Sequence, residues 1–153
     1  MKIYLGTDHA GFELKEKIKA YLKAEDYDVQ DQGAFAPDRA DDYPDYIKVV
    51  AKLVAADPAS RGFIFGGSGQ GEAICANRYK GVRATVYSGG SLELVKLARE
   101  HNNANVLSLG ARFIAFEEAK QVIDLWLKTE FSGEDRHIRR NVKLDTDSID
   151  GAI

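Results

Sequence analysis

The sequence predicts one α/β domain, a Rossmann-like (flavodoxin-like) three-layer fold on a five-stranded parallel sheet with a helical C-terminal tail. Short β-rich apolar runs alternate with helical ones five times, the pattern of successive βα units. Glycine-rich or polar clusters follow the strands, where open α/β sheets bind their ligands. No change of composition marks a linker in the 153 residues, so 1–153 reads as a single domain, with about 132–153 as the tail.

Met1–Thr7 is the first strand, and Gly11–Ala24 is a helix with Leu14, Ile18, Tyr21 and Leu22 at helical spacing. Tyr27–Gln30 is a weak second strand. Asp38–Asp45 is a polar loop whose Pro44 is placed to open a helix, which runs to about Ala56 with Ile47, Val50, Leu53 and Val54 on one face. Gly62–Phe65 is a short apolar third strand that runs into Gly66-Gly67-Ser68-Gly69-Gln70-Gly71 and a helix over Glu72–Arg78. Val82–Tyr87, Leu92–Glu100 and Val106–Leu109 continue as strand, helix and strand. Phe116–Lys128 is the clearest helix, burying Ala119, Val122, Ile123, Trp126 and Leu127. The polar remainder carries the basic run Arg136-His137-Ile138-Arg139-Arg140.

Bulk properties exclude several classes. A net charge of -3 and 44% hydrophobic residues describe a globular chain with no broad attraction to nucleic acid or to anionic lipid. A phosphorylated ligand therefore needs a local cluster of cations. No apolar run suits a signal peptide or a bilayer span, and the one cysteine, Cys75, has no partner for a disulfide, so a cytoplasmic location is expected.

The strongest local signal is the Gly66–Gly71 loop. Four glycines in six positions, between strand and helix, let backbone N–H groups approach an anion or a developing oxyanion. Neither the dinucleotide fingerprint nor the P-loop fits, because Glu72 stands where a third glycine would fall and the P-loop Lys is missing. Glu72 itself is either a dipole partner in a first helical turn or a general base beside the loop. Cys75 reads as a small buried hydrophobe.

Asp8-His9 closes the first strand, as a helix-capping loop or as a proton-handling pair. His101-Asn102-Asn103 ends a helix. The histidines at 9, 101 and 137 show no metal-ligand spacing, and neither a metal nor a cofactor is expected. Arg136 and Arg140 share a helix face, either solvated or forked toward one phosphate, and Arg112 after the fifth strand offers a third cation. A phospho-receiver is disfavoured, since Gly66-Gly67 and Gly110-Ala111-Arg112 stand where its Asp and Lys belong.

In order along the first 140 residues or so, a set of segments resembles the ribose-5-phosphate isomerase type B family, which includes galactose-6-phosphate isomerase subunits. The segments are Gly6-Thr7-Asp8-His9-Ala10-Gly11-Phe12, Asp42-Tyr43-Pro44, the Gly66–Gly71 loop with Ala76-Asn77-Arg78, Arg99-Glu100-His101-Asn102-Asn103-Ala104-Asn105, Gly110-Ala111-Arg112, and Arg136-His137 with Arg140. The resemblance implies a Rossmann-like sheet and a homodimer that can pair into a tetramer, with each active site completed by two subunits. It implies that Asp8, His9, Tyr43, Ser68 and Asn102 contact the sugar. Arg112, Arg136 and Arg140 would bind its phosphate, some of them from the neighbouring chain. The amides of Gly67, Ser68, Gly69, Gln70 and Gly71 would hold an enediolate oxygen, and His101, or Asp8 in its stead, would assist ring opening.

Many members of that family carry a catalytic Cys where this chain has Gly66. A second branch lacks it and uses a Glu just after the loop, which assigns the base here to Glu72. The implied activity is metal-independent interconversion of D-ribose 5-phosphate and D-ribulose 5-phosphate through a cis-enediolate, a step of the non-oxidative pentose phosphate pathway. The alternatives are isomerisation of allose or galactose 6-phosphate, or a non-catalytic sugar-phosphate-binding module. The loop Ala34–Asp42 and the stretch Tyr87–Leu92 are expected to line the pocket.

Overall fold

The computed structural model describes residues 1–146. In chain order the elements are β1 (Lys2–Thr7), α1 (Phe12–Ala24), β2 (Asp28–Asp31), α2 (Tyr43–Ala56), β3 (Arg61–Gly66), α3 (Gln70–Ala76), β4 (Ala84–Tyr87), α4 (Leu92–Glu100), β5 (Val106–Gly110), α5 (Phe116–Lys128) and α6 (Asp135–Asp145). The tail expected over 132–153 is helical in α6, and its residues 147–153 lie outside the described part of the chain. Among the described residues no helix is long and apolar enough to cross a membrane.

All strand pairs are parallel, in the order β2-β1-β3-β5-β4. The three-layer α/β fold is as expected, but the last two strands exchange places relative to the flavodoxin order 2-1-3-4-5. The chain thus turns back after β4, and a right-handed return puts α4 on the same face as α1 and α5. The packing agrees. Ile3, Leu5, Phe63, Phe65, Leu107 and Leu109 face Leu14, Ile18, Leu22, Val95, Val122 and Trp126 in the larger core. On the other face Tyr4, Ile64 and Val106 meet Ile47, Val50, Val54 and Ala76 of α2 and α3. This period-2 alternation buries both faces of the sheet, which is why its strands read as nearly continuous apolar runs.

Element boundaries move for local reasons. Helix α3 starts at Gln70, two residues earlier than its spacing suggests, because Gly69 takes a left-handed φ of 79° and turns the chain into the helix. It ends early because the Asn77 amide leaves the helix to bond both the N–H and the C=O of Ala84, at 2.7 and 2.9 Å. Helix α2 opens with Pro44 in its first turn, as expected.

One buried cation ties the functional end of β1 to the next loop. Lys15, fully buried on α1, donates to both oxygens of Asp31 at 2.8 Å and to the Ala34 carbonyl at 2.7 Å. Thr7 and the 33–34 segment exchange backbone bonds of 2.8 and 2.9 Å. Partial burial of Asp31 works against its charge, yet Lys15, Lys19 and the Gly33 N–H together hold its carboxyl below the usual range. Lys15→Met is expected to lower the unfolding free energy by about 1–3 kcal/mol at pH 7, since it removes the buried donor from Asp31 and the Ala34 carbonyl and leaves Asp31 to Lys19 and the Gly33 N–H. The Asp31 contribution is present above the ordinary carboxylate pKa and fades as pH falls through the depressed value, so the gap between parent and variant should narrow in acid. Urea titrations at pH 7 and pH 3 measure both.

Candidate active site

The β3–α3 turn lies at the carboxyl end of the sheet, and its carbonyls are all tied back. Gly66 O accepts from Ala111 N–H at 2.8 Å, and Gly67 O from Arg112 N–H at 3.1 Å. Ser68 O accepts from the Ser88 hydroxyl at 2.5 Å, and Gly69 O from the Ser108 hydroxyl at 2.6 Å. Among the described residues the N–H groups of Gly67, Ser68 and Gly69 donate to no protein acceptor, while Gln70 N–H reaches the Ser68 hydroxyl at 3.3 Å. Donors held outward by carbonyls held inward make a preorganised cradle for negative oxygen.

Glu72 lies beneath this turn, 5% exposed. Its carboxylate fills the space beside Gly66: a Cβ at position 66 would overlap that carboxyl group, lying 2.5 Å from Oε2. Position 66 and the Glu72 side chain therefore compete for one volume, and glycine is what lets the carboxylate in. Burial pushes the Glu72 carboxyl above its ordinary 4.5, helped by the nearby charge of Asp8 and opposed by a backbone hydrogen bond. Cys75, on the outer side of α3, is only partly buried against the smaller core, and burial pushes its thiol up.

Asp8 and His9 emerge from β1 next to this turn. Asp8, 7% exposed, accepts the Ala10 N–H at 2.9 Å, the loop-capping role, while also facing Glu72. His9 is held by Asp41: its Nδ1 lies 2.6 Å from Asp41 Oδ1, which also accepts the His9 backbone N–H at 3.1 Å. Tyr43 packs over Gly71, where a Cβ would sit 2.9 Å from the tyrosine hydroxyl. The guanidinium of Arg112 lies against Gly67. His9 and Arg112 line a cavity of about 780 Å³ with Lys17, Pro37, Arg39 and Phe116. That size admits a small sugar phosphate, but the cavity adjoins the glycine turn through Ala111 and Arg112 and is not itself lined by Glu72, Asp8, Tyr43 or residues 67–71. Pro37 and Arg39 come from the expected Ala34–Asp42 loop. The Tyr87–Leu92 stretch contributes differently, through Ser88, which braces the glycine turn from behind.

The remaining expected residues stand elsewhere. His101 and Asn102 follow α4 and precede β5, so in a parallel sheet they lie at the amino edge, opposite the glycine turn. Helix α6 is fixed at that same edge. Ser132 N–H bonds Glu100 O at 3.0 Å, Asn141 bonds His101 O at 3.4 Å, and the His101 and His137 rings stack with centroids 4.3 Å apart. His137 is buried and accepts or donates at Nδ1 with the Ser132 hydroxyl at 2.6 Å; loss of water and the neighbouring His101 push its pKa down. Arg136 and Arg140 are exposed on α6, with Arg136 bonded to Glu134 at 2.8 Å. Within one chain, then, the fold collects Asp8, His9, Tyr43, Gly67–Gly71, Glu72 and Arg112 at one edge. It puts His101, Asn102, Arg136 and Arg140 at the other.

Spacing alone did not reveal Asp41, Ser108 or the link of Ser88 to the turn. Ser108 carried one signal, a hydroxyl in an otherwise apolar buried strand. Asp41 is one of four aspartates in a polar loop and carried none. It also changes the surroundings of His9, because Asp8, His9 and Asp41 bring ligand atoms within 4.8 Å of one another. These are the residues a cation would meet, although Nδ1 of His9 is engaged with Asp41.

Residues 3–144 match the family described as Ribose/Galactose Isomerase. The chain is 44% identical over 140 residues to ribose-5-phosphate isomerase B of Mycolicibacterium paratuberculosis, covering 92% of this chain and 87% of that protein. To the Escherichia coli ribose-5-phosphate isomerase B it is 40% identical, with 91% of each chain covered. Among solved structures, ribose-5-phosphate isomerase B of Mycoplasma genitalium with bound ribulose-5-phosphate superposes with a TM-score of 0.88 at 38% identity, over 94% of this chain and 93% of that one. The Thermotoga maritima enzyme gives 0.87 at 43% identity, over 94% and 97%.

The competition between position 66 and Glu72 has a measurable consequence. Gly66→Ala should destabilise the fold by about 1–3 kcal/mol, the usual range for overpacking, by driving the carboxylate aside. In a Glu72→Ala background the same substitution should cost far less, because the volume is then free. Denaturation of the two singles and the double gives the coupling energy; simple additivity would contradict the shared-volume account.

Proposed function

The chain belongs to the ribose/galactose isomerase family, and we propose that it interconverts D-ribose 5-phosphate and D-ribulose 5-phosphate with Glu72 as the base. The observation that carries the assignment is the buried Glu72 carboxylate in the space freed by Gly66, directly beneath a turn of outward N–H groups. A carboxylate of ordinary acidity is a weak base for a sugar carbon, and burial raises its proton affinity in the needed direction.

In this reading the sugar ring opens and Glu72 removes the proton from C2 of the aldose. The electron pair moves onto the C1 oxygen, and the resulting cis-enediolate is held by the N–H groups of the 67–71 turn. A proton then passes from the C2 hydroxyl to the C1 oxygen, and the same carboxylate returns its proton to C1 as the carbonyl forms at C2, giving the ketose. Asp8, His9, Tyr43 and Ser68 contact the sugar, and Arg112 takes part of the phosphate charge. His101 for ring opening, Asn102 for the sugar, and Arg136 and Arg140 for the phosphate come from a second copy of the chain. The support for this division is that these four lie at the opposite sheet edge of their own chain, while the family resemblance implies that they serve the same site as the rest. A homodimer is the smallest assembly that joins the two edges twice over.

Turnover of ribose 5-phosphate is expected in the presence of EDTA, ahead of allose 6-phosphate and galactose 6-phosphate. A six-carbon preference would keep the mechanism and change the substrate; tight binding without turnover of any sugar would leave only a binding module. Glu72→Gln should cost on the order of 10²–10⁴ in kcat, the usual range for removing a general base.

Stability should move the opposite way. A carboxyl whose pKa is raised in the folded state lowers stability as pH climbs from its unfolded value through the raised one. Glu72→Gln should therefore melt at a higher temperature than the parent at pH 7, and the difference should disappear below about pH 4.

Mixing tests the shared site. Equal amounts of Glu72→Gln and Arg140→Ala chains, each nearly inactive alone, form hybrids with one intact site of two. Free exchange should restore about a quarter of parental turnover. No recovery, with exchange verified by native mass spectrometry, would place both residues in the same chain's site.

A further inference from the structure

We propose that Asp41 is a positioning residue for the isomerisation, fixing the tautomer and ring direction of His9 so that Nε2 is the nitrogen offered to the sugar phosphate. This rests on the isomerase reading of the same site. A carboxylate can only accept, so at 2.6 Å from Asp41 Oδ1 the His9 Nδ1 must carry the proton, in the neutral ring as in the cation. The same oxygen accepts the His9 backbone N–H at 3.1 Å, which pins the residue at two points. Nε2 is left as the open nitrogen of a side chain that is 29% exposed and lines the 780 Å³ cavity together with Arg112.

Asp41 is built for this position. Its side chain is only 6% exposed, so the bond to His9 is shielded from water and correspondingly strong. The loop that carries it is anchored at its start by Lys15 and by the 33–34 bonds to Thr7, and is turned at its end by Asp41 N–H to Asp38 O at 3.1 Å. Oδ2 is buried, and the Tyr46 phenol beside this carboxylate has its pKa pushed up by burial and by the Asp41 charge. The negative charge of Asp41 serves an imidazole that has to face a substrate in one orientation.

The test combines a tautomer measurement with a double-variant cycle. Nitrogen-15 NMR of the parent protein, at a pH where the ring is neutral, should find His9 protonated at Nδ1; protonation at Nε2 would overturn the proposal and needs no variant. In Asp41→Asn the amide can donate as well as accept, so the Nε2–H form should gain population. With the melting temperature near the parent's, kcat/KM for ribose 5-phosphate should fall about 10–100-fold, the usual effect of losing a carboxylate behind a working imidazole. In a His9→Gln background Asp41→Asn should cost nothing further. An equal loss in that background would show that Asp41 does not act through His9. If the parent turns over no ribose 5-phosphate, the isomerase reading falls, and the tautomer in parent and variant still decides whether Asp41 controls His9.

Discussion

The candidate site depends on one small volume at the end of β3. Strand geometry sends the residue-66 side chain toward the start of α3, and the residue there is glycine, so the space belongs to Glu72. Everything chemically distinctive about Glu72 follows from that location. It loses water, its carboxyl is pushed up, and it lies within reach of the turn whose N–H groups face outward. A buried carboxylate without a cation beside it is costly to the fold, and that cost and the basicity share one physical origin, desolvation. Under the proposed role of Glu72, stability and function are in direct opposition at position 72, as is common at catalytic positions.

The turn is rigid for a reason that lies in the strand order. Because β5 rather than β4 neighbours β3, the residues that follow β5 can take the carbonyls of Gly66 and Gly67 onto the Ala111 and Arg112 amides. Ser108, on the same strand, takes the carbonyl of Gly69. Strand β4, displaced to the edge, still reaches the turn through Ser88. With each carbonyl committed, the peptide planes cannot rotate freely, and the donors need little reorganisation to meet an oxyanion. The exchange of the last two strands is thus more than a variant of topology: it supplies the clamp. The same exchange brings Arg112 to the rim of the cavity beside His9.

Most of the fold was legible because the sheet is buried on both faces. Nearly continuous apolar runs such as Ile3–Leu5, Phe63–Phe65 and Val106–Leu109 leave little ambiguity about strands, and the alternation with helices forces parallel pairing. Strand order was not legible, since neighbouring strands in such a sheet share the same composition and no residue records which lies beside which. At the site, the glycine turn and Glu72 stood out through residue types that have no place in simple packing. Asp41, Ser88 and Ser108 did not, because their roles exist only once distant segments meet: 32 residues separate His9 from Asp41 and 39 separate Gly69 from Ser108. The arginines of α6 were visible as a charge run, yet only the fold reveals that they leave from the wrong edge of the sheet.

That separation bears on how the protein has to work. A parallel sheet has one functional edge, where the strands end and the helices begin, and two of the three arginines that the family resemblance assigns to the phosphate do not lie there in this chain. Arg112 and His9 face the cavity from that edge, while Arg136 and Arg140 project from a helix held at the opposite one by the His101–His137 stack and the bond from Asn141. Bending α6 around the sheet would break those contacts and expose His137, which is 1% accessible. The proposed dimer would meet the need without any such rearrangement, since a two-fold interface that sets the amino edge of one chain against the carboxyl edge of the other does so reciprocally. In the proposed dimer the buried His137 would stiffen the platform from which one chain reaches into its neighbour's site, so that the basic helix would arrive already oriented.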